Sequence, residues 1–169
     1  MSRAALVNRP FYNGLLVHDS VRDLLGDETP ISHLQVPDPP SGYNSTTEAT
    51  LPDWAVAKFQ NYVAALGQYS IYFNPTIRSP MPRTRGEAMM CGLVSVSLRN
   101  HDVDQFVVNG VNGFYADTAE ELAEYLKFLT RDPSARERMA FASRRTALDL
   151  FNLDRYLANW STLLARIVR

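Results

Sequence analysis

Short apolar runs alternate with longer amphipathic stretches along most of this chain, and that alternation constrains its fold more than any other feature. Residues 4–8, 31–36, 69–73, 93–97 and 113–116 read as strands. Residues 13–25, 54–66 and 87–91 read as helices between them, with a short helix over 101–108. Gly26 and Gly92 stop two of these helices, and Asp53 stands after Pro52 where an N-cap belongs. Helix follows over 118–130, where Thr118 and Glu121 form a capping-box pattern, and again over 134–148 and 154–168. The strands are brief and apolar on both faces, so the expected fold is α/β, a parallel sheet with helices on both faces. In such sheets ligands bind beyond the carboxyl ends of the strands, often at a helix N-terminus.

The chain has 169 residues, enough for one compact domain over 1–169 that ends in the helices of 134–168. The stretch 37–52 is rich in Pro, Gly, Ser and Thr and reads as an exposed loop. Net charge is −1, which gives no overall field toward nucleic acid or membrane. The lone Cys91 excludes an internal disulfide and fits a reducing compartment. No apolar run approaches the roughly 20 residues that span a bilayer. The first residues pass straight into a short strand-like run without the pattern of a secretory signal. A cytoplasmic location, peripheral to the membrane at most, is the expectation. The last two helices are rich in arginine, but their charges alternate with apolar residues at helical spacing, so they read as a packed amphipathic pair.

Lys58 and Lys127 are the only lysines among 17 basic residues. Arginine grips phosphate and carboxylate with a planar fork, where lysine is a point charge. Between Tyr72 and Arg99 stand four arginines, Arg78, Arg83, Arg85 and Arg99, against one acid, Glu87. This segment reads as strand, proline-rich loop, helix, glycine and strand. Its loop and helix start offer free backbone N–H groups, a positive dipole end and guanidinium forks, which together suit a diphosphate. Glu87, near the start of that helix, has a carboxylate able to accept two hydrogen bonds from a ribose diol. An acid there also serves the helix dipole alone in many proteins.

Three blocks in this half of the chain carry a family resemblance. Glu87-Ala88-Met89-Met90-Cys91-Gly92-Leu93-Val94-Ser95-Val96 resembles the EAMACGxPVV signature of retaining GT-B glycosyltransferases. Asp104-Gln105-Phe106-Val107-Val108-Asn109-Gly110-Val111-Asn112-Gly113-Phe114-Tyr115 is similar to that family's PEVVEDGVNGFLV. Asp132-Pro133 to Arg138-Met139, then Phe151 to Trp160, resembles its DPELRERM…F…RY…W ending. The likeness spans about 100 residues, from Ile71 onward. It implies one Rossmann-like domain, the C-terminal, donor-binding half of a two-domain enzyme of polysaccharide biosynthesis. The donor is then a UDP- or GDP-sugar, used as substrate, with no cofactor and no metal. The implied partner is an N-terminal acceptor domain, without which transfer of the sugar is incomplete.

The resemblance also assigns residues. It puts Glu87 on the nucleotide ribose and the helix N-terminus on the diphosphate. Leu6-Val7-Asn8-Arg9 is similar to the VGR that opens the family's C-terminal domain, so Arg9 joins Arg83 and Arg85 as a phosphate candidate. The family's phosphate-binding lysine has no counterpart near Asn13-Gly14. Ser79 stands where the family carries a glutamate against the donor sugar, and serine supplies no carboxylate. His101 and Asp102 fall in a loop near the donor sugar, where a polar contact is expected of them rather than a metal. Met89, Met90 and Cys91 read as core. These departures leave open a non-catalytic nucleotide-binding or assembly module derived from the same family. A sugar-nucleotide epimerase shares the architecture, but its signature residues are not evident.

Overall fold

The computed structural model describes residues 4–6, 14–33, 53–78, 83–100 and 102–167. Five parallel strands form one sheet: β1 (Ala4–Leu6), β2 (Ile31–His33), β3 (Ile71–Asn74), β4 (Val94–Leu98) and β5 (Gly113–Ala116). Their order is β2-β1-β3-β4-β5. The chain builds outward from β1 to β2, then returns to the other side of β1 and continues through β3, β4 and β5. That reversal between β1 and β3 is where open parallel sheets form a ligand crevice at the carboxyl ends of their strands. The register is set by apolar pairs, with Phe73 beside Val96 and Val96 beside Phe114.

The connecting helices are α1 (Gly14–Leu25), α2 (Asp53–Leu66) and α3 (Arg83–Met90), with a 3₁₀ turn at Val103–Gln105. The chain then closes with α4 (Ala119–Arg131), α5 (Pro133–Leu150) and α6 (Leu153–Ile167). Alternate strand residues serve opposite faces of the sheet. Ile71 and Phe73 of β3 join Val21, Leu122, Leu126 and Leu129 in the larger core under α1 and α4. Tyr72, between them, joins Tyr62, Leu66, Ala88 and Leu93 in a second core under α2 and α3. β4 departs from the expectation of strands apolar on both faces. Val94, Val96 and Leu98 enter the larger core, but Ser95 and Ser97 turn to the other side, fully buried, with hydroxyls 3.2 Å apart. Each hydroxyl thereby has a partner, which makes its burial tolerable.

Local signals place the helix ends. Thr118 Oγ1 accepts the Glu121 N–H at 3.2 Å, and Glu121 Oε2 reaches back to the Thr118 hydroxyl at 3.1 Å. Glu121 Oε2 also accepts the Asp117 N–H at 3.2 Å, so the reciprocal half of the capping box reaches one residue before Thr118. Asp132 caps α5 by accepting the Ala135 N–H at 2.8 Å, with Pro133 next in the chain. Gly92 ends α3 in the left-handed region, at φ +79°, which a side chain disfavours.

Two expectations fail. α3 begins at Arg83, a turn earlier than the 87–91 read from sequence, so its first turn holds no acid and Glu87 lies in its second. α6 does form over nearly the expected residues, but it is not half of a packed pair. None of its residues is buried, while α5 buries Ala135, Met139, Ser143 and Ala147. The loop read at 37–52 lies outside the described residues.

Candidate functional site

At about 100° per residue, positions 83, 86, 87, 90 and 91 fall on one side of α3 and its C-terminal turn. They line a crevice of about 660 Å³. Phe59 and Val63 of α2 form one wall, and Arg144 of α5 and Phe151 beyond it form another. Arg83 and Glu87 are thus neighbours on the crevice side, one helical turn apart. Among the described residues neither Arg83 nor Arg144 has a carboxylate within ion-pair distance, so both guanidinium groups are free to meet an anion.

Glu87 is half-buried and held from α2. The buried Tyr62 hydroxyl donates to Glu87 Oε2 at 3.0 Å. Burial, and then the adjacent Glu87 carboxylate, raise the Tyr62 ionisation well above its ordinary value, so the phenol stays a neutral donor. A carboxylate has about four lone-pair positions. Tyr62 uses one, which fixes the rotamer and leaves the others for a ligand.

The opposite wall depends on a glycine. A Cβ on Gly86 would lie 2.9 Å from the Phe151 ring, so the ring rests directly on the helix backbone. Phe151 also stacks on Phe106, with centroids 6.1 Å apart and planes 10° from parallel. At the start of α3, Thr84 and Tyr72 share a hydroxyl–hydroxyl bond of 2.9 Å that ties the helix to β3. Cys91, at the other end of the crevice, has its thiol ionisation pushed up by burial, against the opposing effect of Arg144.

The candidates read from the sequence separate into three groups. Arg83 and Glu87 come together at the crevice. Arg9, Ser79 and His101 lie outside the described residues. Arg85 departs from the expected phosphate role. Two residues on from Arg83, it is turned about 200° round the helix. It is only 2% exposed and faces Asn100, to whose Oδ1 its Nη2 donates at 3.0 Å. Burial lowers its affinity for the proton. Met90 and Cys91 also differ from their core reading, since both reach the crevice, while Met89 is fully buried.

Tyr62, Arg144, Phe59 and Phe151 were not anticipated. Tyr62 and Leu66 are spaced as a core pair on α2, and no sequence pattern announces that the phenol faces Glu87. Among the described residues, no three histidine, cysteine, aspartate or glutamate side chains gather as a metal site. None of the described helices is long and apolar enough to cross a membrane.

The doubly covered parallel sheet, with a crevice beside the helix that follows β3, is the Rossmann-like half of a GT-B glycosyltransferase fold. Residues 45–162 match the family model described as Glycosyl transferase-like, and the chain belongs to that family. HepE of Anabaena, solved in complex with UDP-glucose, superposes with a TM-score of 0.68 at 15% identity, covering 98% of this chain and 49% of HepE. A glycosyltransferase from Rickettsia africae gives 0.70 at 14% identity, covering 99% of this chain and 48% of its own. The C-terminal domain of LpcC, a group 1 glycosyl transferase of Francisella tularensis, gives 0.61 at 10% identity, covering 90% of this chain and 87% of that domain. The chain therefore spans about half the length of the larger structures and most of the isolated domain. No curated protein sequence matches it.

Proposed function

We propose that this chain binds a nucleoside-diphosphate sugar and acts as the donor-binding half of a glycosyltransferase. One observation carries the reading: Glu87, braced by Tyr62, and the unpaired Arg83 share one face of α3 at an apolar-walled crevice of about 660 Å³. That size lies within the roughly 300–1,000 Å³ of small-molecule sites. The free lone pairs of Glu87 accept the two hydroxyls of the ribose. The Arg83 fork takes a phosphate oxygen in a charge-assisted pair, aided by the positive end of α3. Phe59 and Phe151 offer flat apolar surface to the base. HepE's complex with UDP-glucose makes UDP the first nucleotide to try.

Transfer needs a second half. α6 presents Tyr156, Leu157, Trp160, Leu163, Leu164 and Ile167 to solvent, a stripe at helical spacing that no described residue buries. The longer relatives have about as much chain again. In this reading a second half covers that stripe and brings the acceptor. The serine at position 79 keeps a non-catalytic nucleotide-binding module as the second reading, separated from the first by whether the two halves mixed together transfer sugar.

Calorimetry with UDP and GDP tests the crevice. The unmodified chain binds one of them, and Glu87→Ala weakens that binding about tenfold or more through loss of the charged hydrogen bonds to the diol. No binding of either nucleotide, or equal binding by the variant, refutes the reading.

A further inference from the structure

Three charged side chains line the crevice, Arg83, Glu87 and Arg144, and the nucleotide reading uses only the first two. Arg144 stands on α5, between the two blocks of the family-like ending and in neither of them. Two contacts fix its place along α3. Phe151, just beyond α5, rests on Gly86 near the start of α3. Ser143, the neighbour of Arg144, donates to the Leu93 carbonyl at 2.8 Å, just past the end of α3. α5 therefore runs antiparallel to α3, and Arg144 belongs to the Met90–Cys91 end of the crevice. Its charge also bears on the Cys91 thiol there, opposing the upward push of burial.

The crevice thus has a direction. Arg83, Glu87 and Cys91 follow at four-residue intervals, each about 6 Å further along the helix axis. The Cys91 N–H still donates to the Glu87 carbonyl at 3.0 Å, so the helical spacing holds to that end. A ribose carries its phosphate arm and its base at opposite ends of the edge that bears the two hydroxyls. With the diol on Glu87 and the diphosphate at Arg83, the base is directed toward Met90, Cys91 and Arg144. Met90 gives it apolar surface, and the raised Cys91 thiol stays neutral beside it.

A guanidinium has five N–H donors and no acceptor, so it selects an edge with two neighbouring acceptors. Guanine has that edge, O6 beside N7. Adenine sets an amino donor beside N7. Uracil separates its two carbonyls with an N–H, which leaves the fork one acceptor at a time. We propose that Arg144 reads the base of the donor, holding guanine through O6 and N7, and so makes a GDP-sugar the preferred substrate, an inference that rests on the nucleotide-sugar reading above. UDP still enters, held by its ribose and diphosphate, and binds more weakly.

Calorimetry on the 169-residue chain tests it, with GDP, UDP, ADP and 7-deaza-GDP, in which a C–H replaces N7, as probes. The unmodified chain binds GDP about tenfold more tightly than UDP or ADP, the discrimination of one bidentate arginine–guanine pair. It binds 7-deaza-GDP about fivefold less tightly than GDP, for loss of one charged hydrogen bond. Arg144→Met lowers the GDP-to-UDP affinity ratio about tenfold and makes 7-deaza-GDP bind as tightly as GDP. Arg144→Lys restores the charge without the fork, and the ratio stays low. Arg83→Met weakens all four nucleotides alike and leaves the ratio where it was. Arg144 is exposed on α5, so its replacement leaves the fold intact. UDP that binds the unmodified chain as tightly as GDP overturns the inference and leaves the crevice reading standing. So does a ratio that Arg144→Met does not move, because Arg144 is then a solvated charge indifferent to the base. A chain that binds no nucleotide overturns the crevice reading and this inference with it.

Discussion

On one face of α3, Arg83 and Glu87 stand at a crevice; on the other, Arg85 and Met89 are buried, Arg85 against Asn100 in the loop beyond β4. Both faces carry an arginine, and the two arginines are separated by one residue. The outward guanidinium is unpaired and free to meet a ligand, while the inward one is committed to Asn100 and left short of partners by burial. Position round the helix, more than residue type, decides what a guanidinium does here. The same angle explains why Tyr62 can reach Glu87 but not Arg85.

If that division is real, substitutions on the two faces act on different quantities. Met89→Ala removes a fully buried side chain and costs about 2–5 kcal/mol in urea denaturation, whereas Arg83→Ala, on the exposed face, stays within about 0.5 kcal/mol. Comparable losses from the two would erase the distinction. Tyr62→Phe probes the boundary between the faces, since it removes the hydrogen bond to Glu87 and costs about 1 kcal/mol. This variant also changes the pH response. The folded state holds the Tyr62 ionisation above its unfolded value of about 10. The stability tied to its protonated form is present below pH ~10 and is lost as pH climbs from there toward the raised folded value. Stability should therefore fall less steeply in alkali for Tyr62→Phe than for the unmodified chain. An equal fall in both would mean that the folded state does not raise the Tyr62 ionisation.

Much of the fold was legible because its signals are local. Thr118 with Glu121, and Gly92, mark helix ends through contacts a few residues long. The alternation of strands and helices gave the parallel sheet. What was not legible depends on contacts across the chain. The pattern in 154–168 announces an amphipathic helix as plainly as the one in 118–130, yet α4 buries Leu122, Ala123, Leu126 and Leu129 while α6 buries nothing. Periodicity says which face seeks cover, not whether these residues contain the cover. Glycine 86 gave no hint of the Phe151 ring lying on it from far along the sequence. Nor does the sequence show that the buried Asn112 side chain accepts the Val108 N–H and donates to the Phe106 carbonyl and the Thr146 hydroxyl, tying the loop before β5 to α5.

The candidate site divides in the same way. Glu87 and Arg83 were singled out because residue type and order suggested the chemistry, and helical spacing puts both at the crevice. Arg85 was misassigned because the proline-rich stretch was taken as loop up to the glutamate. Once α3 starts at Arg83, the helical angle sends Arg85 inward. Tyr62 and Arg144 were out of reach, since α2 and α5 meet α3 only in the folded chain.

A crystal of the chain soaked with UDP examines the outward face of α3 at atomic distance. The account requires both ribose hydroxyls on the Glu87 carboxylate, with Tyr62 still donating to its other side, and a phosphate oxygen on Arg83. UDP seated elsewhere, with Glu87 touching Tyr62 alone, would contradict it.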